Sequence, residues 1–171
     1  MADTPRVAEP ETIAKLTLTV TRGVTAGLLA GVPQVLLAQV VARALGARER
    51  ADIGPRFVRR AAQHAGSSLS GPLQWLLAGV FHFEYAAGWG TLYALVVEEL
   101  GPRRVPPPAG GAALAALIYA AAFSPLGAAT QTGAERPPER RRGGERLVHW
   151  SAALSFALPA AFAYRWLRER W

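Results

Sequence analysis

The chain has no cysteine, one methionine at its start and one lysine, Lys15. Without thiols there is no disulfide framework, no thiolate metal site and no cysteine nucleophile. With a single lysine among nineteen basic residues, the positive charge is carried by arginine. Together with the many Ala, Gly and Pro residues, this reads as a GC-rich coding bias rather than as function. Charge of either sign is missing from long stretches. Residues 24–42, 105–134 and 147–164 contain no Asp, Glu, Lys or Arg, and residues 73–97 contain only Glu84. A water-soluble bundle needs a polar stripe along each helix, and none of these stretches has one.

Each uncharged stretch is about as long as the ~20 residues an α-helix needs to cross ~30 Å of hydrocarbon. The fold expected is therefore an all-α membrane protein, a four-transmembrane-helix bundle forming one domain over the 171 residues. The helices are placed at residues 24–45, 73–100, 109–129 and 147–164. A polar tail covers 1–15 and a flexible loop 130–146. The tail mixes Asp3, Glu9 and Glu11 with its bases, unlike the short basic start of a secretory signal, so the first span is expected to be retained. The third span, interrupted by Ser124 and Pro125, reads as the weakest of the four.

Between the first two spans, residues 46–70 carry several arginines interleaved with Ile53, Phe57, Val58 and Ala61. That pattern predicts either a short amphipathic helix on the membrane surface or a solvated loop. The second and third spans are joined tightly through Gly101, Pro102, Arg103 and Arg104, which makes them antiparallel neighbours. The fourth ends in Arg165, Trp166, Arg168, Arg170 and Trp171, an aromatic and basic anchor. The net charge of +7 would suit nucleic acid. Because the arginines flank apolar spans, the partners expected are the lipid bilayer and its anionic head groups, with no nucleic acid. Eleven arginines lie in the first and third loops against eight bases elsewhere, which favours those loops inside and both termini outside.

Few residues inside the spans could carry chemistry. The candidate intramembrane polar site is Glu84, His82, Gln34 and Gln39, since ionisable groups in lipid are functional candidates by default. At 100° per residue His82 shares a stripe with Ala86, Trp89 and Tyr93, whereas Glu84 lies with Gly88 and Thr91, so the two do not pair. Gly23, Gly27 and Gly31 form a small-xxx-small ladder, a helix-packing face used either within the chain or for self-association. A bis-histidine haem site from His82 and His149 is disfavoured, because the two lie about 10 Å apart in depth. No catalytic, cofactor or metal motif is present, so neither an enzyme nor a cofactor is expected.

The run His82, Phe83, Glu84, Tyr85, then Gly88, Tyr93, Val97, Glu98, Pro102 and Arg103, resembles the YagU-like bacterial inner-membrane family. So do Gly27 to Gly31, the turn Ser124, Pro125, Leu126, Gly127, and the ending Leu147, Val148, His149, Trp150 with its basic tail. The resemblance covers roughly residues 23–170. It implies a multi-pass protein of the bacterial cytoplasmic membrane with a role in acid resistance. Where that family has a Pro-Pro-Arg element and a cysteine, this chain has Ile53, Gly54, Pro55, Arg56 and no cysteine, so no role of that loop carries over. Three functions are expected in order: a non-enzymatic envelope or stress protein, which self-associates or joins a larger membrane complex; a small transporter or proton-linked channel component using Glu84 and His82; and an accessory subunit.

Overall fold

The apolar stretches become long helices, two of which stop where glycine or proline follows, at Gly101 and at Ser124 before Pro125. The computed structural model describes residues 10–44, 53–141 and 143–171. Helices α1 (Pro10–Ala44), α3 (Gly71–Leu100), α4 (Pro107–Phe123) and α6 (Gly143–Arg170) form the body. The short helices α2 (Ile53–His64) and α5 (Ala128–Gln131) and a 3-10 turn at Pro138–Arg140 lie in the connections. No strand occurs among the described residues.

Three stretches, Pro10–Val41, Pro107–Gln131 and Gly144–Arg170, are long and apolar enough to cross a membrane. Helix α3 has the length, 30 residues, but Gln74, His82, Glu84 and its Tyr and Trp residues dilute its apolar run. The weaker span is therefore the second rather than the third. Helix α4 owes its strength to Ala, Leu and Ile with hardly a polar side chain.

Two boundaries differ from expectation. Residues 10–15, read as part of a polar tail, are already helical in α1. Thr17, Thr21 and Thr25 each donate their hydroxyl to the carbonyl four residues earlier at 2.9 Å, so a threonine-rich turn satisfies its own polar groups and stays helical. The stretch 130–146, read as a flexible loop, is folded over its described residues. Ala134, Glu135 and Arg141 are buried in it, and α6 begins inside it at Gly143.

Helix α1 packs against both α3 and α6, and α6 against α4. The glycine ladder makes the first contact. A Cβ on Gly23 would stand 2.7 Å from the Thr91 Cα, one on Gly27 would overlap the Ala86 carbonyl, and one on Gly90 would overlap the Gly23 carbonyl. This face is thus used within the chain, between antiparallel helices whose backbones approach as only small residues allow. Ala153, Ala157, Ala160 and Ala161 of α6 complete the interior with Phe156, Tyr93 and Tyr164. Large apolar side chains point outward instead, among them Leu36, Val40, Leu76, Leu117 and Phe162.

The helices alternate in direction. The ends of α1 and α4 and the starts of α3 and α6 share one end of the bundle with α2 and the α5–α6 loop, the arginine end. The opposite end gathers the start of α1, the α3–α4 link and the end of α6.

Candidate functional site

The four polar residues singled out inside the spans do not converge. His82 is half-buried and lies 3.0 Å from the Gly31 carbonyl. A carbonyl only accepts, so Nε2 carries the proton and donates. Gln34 donates from Nε2 to the Ala152 carbonyl at 3.2 Å. Both contacts bracket Pro33, which has no N–H to offer and leaves a carbonyl of α1 short of its helical partner. These side chains tie α1 to α3 on one side and to α6 on the other. Gln39 is half-exposed further along α1.

Glu84 is exposed on the outer side of α3, away from His82, as the spacing predicts. Helix α2 packs beside Ala78 and Phe81, with the Phe57 and Phe81 rings stacked at 4.9 Å. Glu84 is therefore only one to two turns, roughly 5–9 Å along α3, from the level of α2. Along α3 itself it is the fourteenth of thirty residues, close to the middle of the helix. His149 does not face His82: it stacks on Phe123 at 4.2 Å and is fully buried.

A denser cluster, which the sequence reading passed over, lies at the arginine end. The side chain of Glu135 is completely buried. One of its oxygens accepts from Arg56 Nη2 at 2.7 Å, and the other stands 3.5 Å from His149 Nε2. Three elements meet here: α2 gives the arginine, the α5–α6 loop the carboxylate and α6 the imidazole. Buried carboxylates persist where opposite charge and donors surround them.

Arg141 fastens the same loop. Its guanidinium donates to the Phe123 carbonyl at 2.6 Å, to the Arg136 carbonyl at 2.7 Å and to the Thr130 hydroxyl at 2.9 Å. Phe123 is the last residue of α4, so a buried cation supplies the donor that a helix C-terminus lacks and opposes the negative end of its dipole. Outside this core, Arg56, Arg59, Arg60, Arg136 and Glu135 line an open cleft of about 360 Å³. The only clue in the sequence was the density of charge in 135–146 next to a histidine at a helix start. Its alternating signs read equally well as solvated loop.

At the opposite end Glu98 joins α3 to α6, accepting from the Tyr164 hydroxyl at 2.8 Å and from Arg168 Nε at 2.6 Å. A second cleft of about 390 Å³ lies beside it, lined by Tyr93, Pro102, Arg103 and Arg165 among others. Neither cleft includes Glu84, His82, Gln34 or Gln39. No group of His, Asp and Glu among the described residues has the arrangement to hold a metal ion. Compared with family models, curated proteins and solved structures, the chain has no match.

Proposed function

We propose that the chain is a non-enzymatic integral membrane protein whose four long helices all cross the bilayer, with α2 lying on its surface. One observation carries this reading. The outward side chains of α1, α3, α4 and α6 include many large apolar ones that none of the described residues covers, whereas ion pairs and arginines gather at the two ends. Lipid is the solvent that suits such a surface. The setting in a bacterial cytoplasmic membrane, and a part in envelope or acid-stress physiology, rest on the resemblance to the YagU-like family.

The absence of cysteine provides the test. Single cysteines are introduced at Ser67 and Glu139 at the arginine end, and at Arg103 and Glu169 at the other. Each is labelled with an impermeant maleimide from either side of sealed vesicles. Ser67 and Glu139 are expected to label from one side, and Arg103 and Glu169 from the other. Labelling of Ser67 and Arg103 from the same side would mean that α3 does not cross.

A second reading, an accessory subunit docking on a larger membrane complex, is favoured by Glu84. This carboxylate is exposed on α3, and Gly88 one turn along leaves open space beside it. A partner helix bringing a donor to Glu84 would suit both features. Co-purification of a partner with the native chain and its loss in Glu84→Leu is the expected result. A transporter has less support, because the polar residues it needs are spread over separate helix contacts.

A further inference from the structure

We propose that the cleft between α2 and the α5–α6 loop binds the phosphate of an anionic phospholipid head group. The inference rests on the membrane reading and adds to it a defined ligand site.

Four guanidiniums surround this cleft, from Arg56, Arg59 and Arg60 on α2 and Arg136 on the loop. Internal neutralisation uses only part of that charge, chiefly at Arg56 and Arg136. Glu135, the one acidic lining residue, has no exposed side-chain surface and is committed to Arg56 and the His149 side. Among the described residues, Arg59 has no carboxylate at ion-pair distance, and Arg60 reaches only the Gln63 amide at 3.4 Å. Arg136 faces Glu145 at 3.8 Å and keeps 52% of its side chain exposed. Exposed donors thus remain at the mouth, where planar guanidinium forks fit the paired oxygens of a phosphate.

Two features select a lipid over a free anion. Helix α2 has no buried residue, and Phe57 packs on Phe81 of α3, so its arginines sit where the outward apolar surface of α3 meets the charged end. The cleft is also shallow and open, with Gly133 contributing no side chain, which suits a head group entering laterally with its acyl chains along the helices. Meanwhile, the buried Glu135 holds Arg56 in place before any ligand arrives, so less order has to be gained on binding.

The test uses the purified full chain in neutral detergent and three probes: dihexanoyl-phosphatidylglycerol, dihexanoyl-phosphatidylcholine and inorganic phosphate. Binding is read by isothermal titration and by the shift in unfolding temperature. Saturable binding of the phosphatidylglycerol is expected, weakened at least about tenfold in Arg59→Gln/Arg60→Gln/Arg136→Gln. The triple Arg103→Gln/Arg104→Gln/Arg165→Gln, which removes equal charge at the other end, should leave it unchanged. Lysine at the same three positions keeps the charge, removes the fork and should weaken binding severalfold with the fold intact. Equal affinity for inorganic phosphate, equal affinity for phosphatidylcholine, or equal losses in the two glutamine triples would each overturn the site. A chain that crosses the membrane yet shows no such selectivity fails this inference alone, whereas labelling of all four cysteines from one side removes the membrane reading itself.

Discussion

Two glycines, each inside a long apolar helix, behave oppositely, which shows how much of this fold is decided at single positions. Gly27 faces Ala86 so closely that a methyl group would overlap its carbonyl, whereas a Cβ on Gly88 meets nothing within 4 Å. Gly27→Ala is therefore expected to destabilise the purified protein by about 1–3 kcal/mol through overpacking, and Gly88→Ala to stabilise it by up to about 1 kcal/mol by removing helix entropy. Unfolding temperatures in one detergent compare them; equal shifts would mean that the α1–α3 contact is absent in solution. The ladder Gly23, Gly27, Gly31 was legible because its four-residue spacing defines a face. Its partner was not, since Ala86, Gly90 and Ala94 are residues that any membrane helix contains. Arg141 was illegible for a different reason. A run of charged residues is usually solvated, and nothing in it marks the one guanidinium that turns inward. Replacing Arg141 with Gln forfeits donors to two carbonyls and a hydroxyl and should cost about 3 kcal/mol, measured as loss of thermal stability and as new protease cleavage between residues 124 and 142.

Helix by helix, what could be read in advance was the apolar run and what could not was its extent. Length and absence of charge placed α3, α4 and α6 to within a few residues of their starts. The start of α1 was missed because Lys15 and Arg22 interrupt the uncharged run, whereas Thr17 and Thr21 bond to their own backbone and the helix continues across them. Helix α3 is the informative case. Its marginal apolarity comes largely from Glu84, so as an isolated segment in a host protein Glu84→Leu should lower its apparent insertion free energy by about 3 kcal/mol if Glu84 sits at mid-depth. Glu84 is the fourteenth of the thirty residues of α3, so we expect the full gain, and a gain of only about 1 kcal/mol would show that it sits nearer an interface. The glycosylation ratio of the inserted segment measures the difference. Helix α2 is held to α3 chiefly by the Phe57–Phe81 stack. Phe57→Ala should raise amide hydrogen exchange across 53–64 while leaving α4 and α6 protected.

For the molecule as a whole, the sequence implied four alternating helices with two charged ends, and the observed helix directions agree. The short link through Gly101 and Pro102 predicts the second and third spans to be neighbours, but α3 and α4 barely touch, because apolar faces surround each helix and carry no address. Contact is uneven: α1 lies between α3 and α6, while α3 meets α6 and α4 only slightly. Glu98 is one of the few polar ties across that weak side, reaching Tyr164 and Arg168. Glu98→Arg should lower stability by about 1 kcal/mol, and Glu98→Arg/Arg168→Glu should recover part of it. No recovery would show that the tie is steric rather than electrostatic.

The central place of α1 bears on how the chain is made. Its glycine face is matched by α3, so an α1–α3 hairpin can close while later segments are still being synthesised. The opposite face of α1, with Gln34 upon it, has to wait for α6, the last of these four helices to leave the ribosome. On the membrane reading proposed above, an amide stands in lipid without its carbonyl partner during that interval. On that reading the nascent bundle is at its most vulnerable in the interval before α6 arrives, and that is when a membrane insertase or quality-control protease has most to recognise.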